Sequence, residues 1–210
     1  LETLSPKDLA SVNSQKHLSS FIKSKNKDFF TLEELGFTDR TSIQFPKEAV
    51  KKSVVRDYDK QRDFPATNGT TNLGLHLRFG TLSGRRAAQI GYELNATWLS
   101  ELVWREFFTQ ILYHFPHVVK KSFKPKYEDI EWINNKTEFK KWTNGMTGFP
   151  IVDAGMRELN ATGYMHNRVR MITASFLVKD LLIDWRWGEK YFAKKLLDFE
   201  LASNNGNWQW

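Results

Sequence analysis

Glu101 and Arg105 stand four residues apart with Trp104 between them, within Trp98-Leu99-Ser100-Glu101-Leu102-Val103-Trp104-Arg105-Glu106-Phe107. At about 100° per residue, Glu101, Trp104, Arg105 and Phe108 share one helical stripe. Leu99, Leu102, Val103 and Phe107 cover much of the remaining circumference, so this helix is expected to be buried nearly all round. The charged residues then have two readings. They form an i,i+4 ion pair at a helix surface, contributing about 0.3–0.5 kcal/mol. Alternatively, they line a wet concave site walled by tryptophan, where a carboxylate and a guanidinium meet a polar ligand. A second stripe starts at His166 and carries Asn167, Arg170, Met171, Ala174, Val178, Leu181, Leu182 and Trp185. Its apolar members read as core. Arg170 does not, because an unpaired buried guanidinium costs several kcal/mol, so it needs a carboxylate. Asp198 and Glu200 are the candidates.

Residues 65–74 read Pro-Ala-Thr-Asn-Gly-Thr-Thr-Asn-Leu-Gly. Small hydroxyl residues and glycines let backbone N–H groups approach an anion, although the same composition builds ordinary turns. Other chemistries lack their signatures. Neither glycine-rich nucleotide fingerprint is present, nor is a His-Glu-x-x-His metal helix. The histidines are scattered, no hydrolase triad is visible, and the absence of cysteine removes disulfides and thiolate metal sites. No metal site is expected.

The elements that must hold these groups read as helices. Asn95-Ala96-Thr97 supplies a helix start, and the run from Trp98 to Phe115 stops at Pro116. Glu138 to Thr143 forms a short amphipathic piece closed by Asn144-Gly145. Pro150 opens a helix through Leu159 that stops near Gly163. His166 to about Trp185 reads as one long helix, which sets Trp185 on the face of Asn167, about 27 Å along it at 1.5 Å per residue. Glu189 to Leu197 reads as another. No stretch alternates with period two between hairpin turns, so the expected fold is all-α, with helices packed in several directions around a central cavity. Residues 1–55 are polar and punctuated by Pro6 and Pro46, with Phe29-Phe30 and Leu32 to Phe37 as one small apolar anchor. They read as a linker with short helices laid over a neighbouring surface. Residues 56–210 form the helical domain.

The bulk numbers agree with a polyanionic partner. The 210 residues carry a net charge of +7, and aromatics reach 14% with eight tryptophans, enough to suggest stacking on planar ligands or bases. No apolar run reaches the ~18 residues that span a bilayer, and no signal peptide is visible.

Several segments together resemble the DNA photolyase/cryptochrome family. The block beginning at Trp98 is similar to the helix that photolyases present to damaged DNA. Thr147-Gly148-Phe149-Pro150-Ile151-Val152-Asp153-Ala154-Gly155-Met156-Arg157 and Met165-His166-Asn167-Arg168-Val169-Arg170-Met171 resemble the next family blocks. Asp198 through Trp210 resembles the flavin-contacting loop, and the blocks keep the family's order from Tyr58 onward. The likeness is greatest to class I cyclobutane pyrimidine dimer photolyases. It implies the multi-helical FAD-binding domain, without the N-terminal α/β domain that would precede Leu1 and hold an antenna chromophore of folate or deazaflavin type. The family's last helices would follow Trp210, so an exposed apolar face is expected where these parts would dock.

The resemblance implies a noncovalent FAD in a U shape. Tyr58 and the loop Thr70, Thr71, Asn72, Leu73 and Gly74 would hold its phosphates. Trp98, Arg170, Asp198, Phe199 and Glu200 would line the flavin pocket, with Arg170 and Asp198 as an ion pair, and Asn204 would face the reactive ring nitrogen. Trp104 would stack on a dimer flipped out of the duplex, a manoeuvre for which photolyases are a standard example, and Glu101 would hydrogen-bond its base edge. Asn167 and Met171 would complete that pocket, and Arg62, Arg105 and Arg168 would contact DNA phosphates. Trp208, Trp185 and Trp132, in that order outward, are similar to the family's electron relay. In the implied mechanism the excited reduced flavin lends one electron to the dimer, the cyclobutane ring opens and the electron returns. The implied protein is a monomeric, cytoplasmic, nucleoid-associated carbon–carbon lyase acting on pyrimidine dimers in DNA. Two departures stand out: the family usually has serine at Gly74 and tryptophan at Tyr164. The (6-4) photolyases carry histidines where Asn167 and Met171 stand, and plant-type cryptochromes tend to carry an acid where Asn204 stands.

Overall fold

The computed structural model of the chain describes residues 15–20, 30–38 and 44–210. Pro6 and Phe29 lie outside the described residues. Among the described residues there are helices and no strand, as expected from the sequence. In chain order the helices are α1 (Lys52–Arg56), α2 (Tyr58–Gln61), α3 (Gly74–Phe79), α4 (Gly84–Leu94), α5 (Ala96–His114), α6 (Lys136–Asn144), α7 (Pro150–Thr162), α8 (Asn167–Ser175), α9 (Trp185–Lys195) and α10 (Leu201–Gln209).

Local chemistry accounts for most of these boundaries. The Asn95 side chain accepts from the backbone N–H of Trp98 at 3.0 Å and so starts α5. Asn135 caps α6 in the same way, and Gly145 ends that helix in the left-handed region at φ +64°. Pro150 opens α7. Asp153 locks the turn ahead of that helix. Its carboxylate accepts from the backbone and hydroxyl of Thr147 and the backbone of Gly148, at 2.6–2.9 Å. Burial works to raise this carboxyl, but those hydrogen bonds outweigh it and hold Asp153 below the usual carboxylate range.

The expected helix from His166 to Trp185 is broken. Regular α8 ends at Ser175, a single π turn follows over Phe176–Asp180, and Leu182 then takes a left-handed φ of +49°. The Leu182 carbonyl leaves the helical ladder and accepts from the backbone N–H of Ile133 at 2.8 Å. Asp184 caps a new helix by accepting from the Arg186 N–H at 2.9 Å. Trp185 therefore opens α9 and does not share a face with Asn167, and the helix expected from Glu189 starts four residues earlier. In the stretch expected to offer an apolar anchor, Phe30, Leu32, Leu35 and Phe37 are exposed among the described residues.

The buried side chains form two clusters. Trp142, Met156, Leu159, Met165, Val169, Leu177, Ile183 and Phe192 join α6 through α9. Val55, Leu73, Leu82, Ala87, Ile90 and Trp98 join α1 with α3 through α5. Helix α10 lies between α5 and α9 and packs against both. Close approach to α9 requires Gly188, because a Cβ there would stand 2.2 Å from the Trp208 ring.

Candidate functional site

The seam between the two clusters collects most of the residues singled out from the sequence. On its inner side, Arg170 donates to Asp198 Oδ2 at 3.0 Å and to the Met165 carbonyl at 2.7 Å. The carboxylate demanded by Arg170 is thus Asp198. Glu200 is engaged elsewhere, capping α10 by accepting from the N–H groups of Ala202 and Ser203 at 2.9 Å. Burial works to raise Glu200, and the hydrogen bonds from α10 pull it below the usual range. Arg78 ties α3 to this loop by donating to the Phe199 carbonyl at 2.9 Å.

The Thr70–Gly74 loop closes over the same pair. The Thr70 hydroxyl donates to Asn72 Oδ1 at 3.1 Å and lies 3.3 Å from the Tyr164 hydroxyl, while Tyr164 faces Arg170 with the guanidinium 5.7 Å from its ring centre. Asn72 holds a left-handed φ of +53°. Gly74 sits against Asp198, and a Cβ there would stand 2.8 Å from Oδ2. A serine at this position would therefore crowd this carboxylate. Leu73 and Trp98, expected at the cofactor, are buried at 2% and 5% exposure and pack in the cluster that joins α1 with α3 through α5.

On the outer side, α5 is not buried all round as expected. Val103, Trp104 and Phe107 are exposed to about the same degree, with Trp104 at 45%. Trp104 meets Phe107, Phe108 and Trp210 edge-on or tilted, with centroids 5.5–6.2 Å apart. Trp104, Phe107 and Trp210 are exposed here, whereas Phe108 is buried. The i,i+4 pair between Glu101 and Arg105 does not form. Glu101 bonds to Arg62, and Arg105 turns to the Leu77 carbonyl at 3.3 Å. Arg168 bonds in turn to Asp63, which lies 3.8 Å from Arg62. Glu101, Arg62, Asp63 and Arg168 thereby alternate in sign from α5 to the start of α8. Met171 extends this row, its sulfur 3.6 Å from the Arg168 guanidinium. Contrary to the core reading, Met171 is 53% exposed, and Asn167 is exposed beside it.

Tyr58 belongs to this group, with the Arg62 guanidinium 5.3 Å from its ring centre. Burial, followed by the neighbouring Glu101 carboxylate, pushes its phenol up to about 12, so Tyr58 remains a hydrogen-bond donor at any ordinary pH. His166 caps α8, its Nδ1 accepting from the Arg168 N–H at 3.2 Å. Burial, then Arg168 and Arg170, lower its pKa, which keeps the ring neutral with its proton on Nε2.

Asn204 on α10 donates through Nδ2 to the backbone carbonyl and the Oε1 of Glu189, at 3.2 and 2.9 Å. This leaves its Oδ1 as the atom available to a ligand. Burial raises the Glu189 carboxyl despite that hydrogen bond. Sequence reasoning missed Glu189, Asp63 and Tyr164 as parts of the site. Asp63 adjoins Arg62 in the chain, while Glu189 carries no local sign of its role.

The three relay candidates lie along α9. Trp208 packs on Gly188 and meets Phe192 and Trp142, at centroid distances of 5.1 and 6.4 Å. Trp185 opens the same helix one turn earlier and is 7% exposed. Trp132 is brought beside that helix start because its neighbours Ile133 and Asn134 bond to Leu182 and Asp184.

The residues of the seam fit a flavin nucleotide. Asp198 Oδ1 is buried with no hydrogen-bond partner among the described residues, and so offers an acceptor to a ring N–H. The adjoining loop packs closely on this carboxylate at Gly74, where a Cβ would stand 2.8 Å from Asp198 Oδ2.

The described residues form a strand-free helical domain with a polar seam between two cores. Residues 98–210 match the family model for the FAD binding domain of DNA photolyase, and the chain belongs to that family. It is 48% identical over 178 residues to a deoxyribodipyrimidine photo-lyase of Neurospora crassa, covering 79% of this chain and 28% of that protein. Among solved structures, a class III photolyase of Agrobacterium tumefaciens is similar with a TM-score of 0.71 at 45% identity, over 75% of this chain and 34% of the other. A cryptochrome of Synechocystis is similar with a TM-score of 0.68 at 34% identity, over 74% and 34% of the two chains. The chain spans about a third of the length of the curated relatives it matches. Among the described residues no helix is long and apolar enough to cross a membrane, and no cluster of His, Cys, Asp and Glu could hold a metal ion.

Proposed function

We propose that this chain supplies the flavin seat and the DNA-facing surface of an enzyme that uses light to split cyclobutane pyrimidine dimers. The observation that carries this reading is the seam itself. It gathers Glu101, Arg62, Arg168 and Met171 on one side and the Arg170–Asp198 pair with the Thr70–Gly74 loop on the other. Bound FAD supplies a light-excited electron donor for opening the cyclobutane ring.

The chain's own residues do the rest. Asp198 would accept from a ring N–H through its free oxygen, and Arg170 orients that carboxylate by donating to its other oxygen. Glu189 holds the Asn204 amide by its nitrogen, so the Asn204 oxygen faces the cofactor as an acceptor. Tyr58, fixed as a phenol, donates to a cofactor phosphate alongside the backbone of the Thr70–Gly74 loop. On the outer side, Trp104 offers an exposed ring for stacking an extruded base, and Glu101 presents a carboxylate to the base edge. Arg62, Arg105 and Arg168 bind backbone phosphates, which makes affinity salt-dependent. Trp208, Trp185 and Trp132 provide an aromatic route from the seam to the surface. Asn167 and Met171 carry no titrating imidazole, which favours cyclobutane dimers over (6-4) products.

The test is an absorption spectrum with and without added FAD, followed by a light-dependent repair assay on a duplex holding one thymine dimer. Flavin uptake with dimer loss only in the light supports the reading. Flavin photoreduction with the dimer intact would assign the chain to light reception instead.

A further inference from the structure

Asp63 follows Arg62 directly in the chain, and the proposed reaction gives it no task. Its carboxylate nevertheless bonds to Arg168 and lies 3.8 Å from Arg62, so one acid serves both guanidinium groups proposed to meet DNA. The pair is open to solvent: the side chains of Asp63 and Arg168 are 54% and 38% exposed. By contrast, Arg170 and Asp198 are each only 22% exposed. An exposed ion pair is worth little, so an incoming anion can exchange with its carboxylate at small cost. A phosphate offers the same paired oxygen acceptors to a guanidinium fork as a carboxylate does. Arg168 would not swing away on losing Asp63, since its backbone is held in the capped start of α8 and its Nη1 rests on the Met171 sulfur at 3.6 Å.

We infer that Asp63 is a resident phosphate mimic, occupying Arg168 in the free protein until a DNA backbone phosphate displaces it. The inference rests on the reading that Arg62 and Arg168 face DNA. Its consequence is a lowered affinity for every duplex, damaged or not, because phosphates carry no base information. Asp63 thereby limits residence on undamaged DNA without touching the contacts that recognise the lesion.

The experiment measures binding of the wild type, Asp63→Asn, Arg62→Ala, Arg168→Ala and the Asp63→Asn/Arg168→Ala double variant to two duplexes, one undamaged and one holding a single thymine dimer, from 50 to 200 mM salt. Asp63→Asn is isosteric at an exposed position. It should tighten binding to both duplexes by a similar factor, roughly threefold to tenfold at low salt. Because phosphate also displaces Asp63 in the wild type, Asp63→Asn should keep the wild-type slope of log affinity against log salt, whereas Arg168→Ala should make it shallower by about 0.9, a difference of about 3.5-fold across that salt range. The gain should vanish in the Arg168→Ala background. Unchanged or weaker binding by Asp63→Asn while Arg168→Ala still weakens it would overturn the inference and leave the proposed function standing. A gain confined to the dimer duplex, or one that persists without Arg168, would also overturn it. Should Arg62→Ala and Arg168→Ala both bind dimer DNA like the wild type, the assignment of DNA to this face fails, and the inference with it.

Discussion

The Arg170–Asp198 pair allows stability and flavin binding to be separated. Asp198→Asn keeps the shape but removes the charge opposite a guanidinium whose other partner is the Met165 carbonyl. Breaking a fully buried pair costs about 3–5 kcal/mol. Both side chains here keep 22% of their surface in water, so solvent screening reduces the expected loss to about 1–2 kcal/mol. For a domain of this size that is a fall of roughly 2–8 °C in melting temperature. Flavin affinity should fall as well. Asn keeps a neutral acceptor worth about 0.5–1.5 kcal/mol against about 1.5–3 kcal/mol for a charged one, and the difference of about 1–1.5 kcal/mol corresponds to a roughly 5- to 13-fold rise in Kd. The decisive variant is the pair Arg170→Met with Asp198→Leu. Replacing both charges with apolar groups of similar volume should recover most of the stability, because no orphaned charge remains. Flavin affinity should not recover, because the acceptor is gone. Urea denaturation and flavin titration of the three proteins decide the matter. If the double variant regains both, the pair is a packing element alone and the seam is not the flavin seat.

Other outcomes follow from single contacts. Gly188→Ala puts a methyl against the Trp208 ring and the Leu177 side chain, so it should cost about 1–3 kcal/mol and shift tryptophan emission. Burial raises the Glu189 carboxyl, so its ionised form is disfavoured in the folded state and the associated stability is lost as pH rises through the raised value. Glu189→Gln keeps an oxygen for Asn204. It should therefore be more stable than wild type at pH 8, with the advantage gone below the unfolded value near 4.5. Urea curves at both pH values that show a constant difference would refute this. Glu101→Ala should leave the flavin spectrum in place while lowering preference for dimer over undamaged duplex by roughly 1–3 kcal/mol, read by competition binding.

The helix boundaries that the sequence settled are those written within one turn of chain. Asn95 and Pro116 bracket α5, Gly145 closes α6, and Pro150 and Gly163 bracket α7. Each acts through a backbone bond or torsion at its own position. The break before Trp185 was missed because neither glycine nor proline marks it. It depends on Leu182 turning its carbonyl to Ile133, a partner far back in the chain. Asp184 was its one local sign.

The site divides in the same way. That Arg170 needs a carboxylate follows from the cost of burying a charge, which holds in any fold. That the carboxylate is Asp198 was decided by the tertiary structure, because Glu200 is used by the first N–H groups of its own helix. Glu101 was four residues from one arginine yet took Arg62, thirty-nine residues away, and that choice left Asp63 between two guanidinium groups. Capping and backbone torsion act over a few bonds, so the order of residues determines them. Ion pairing acts through space, so only the packing of α2, α5 and α8 could choose the partners.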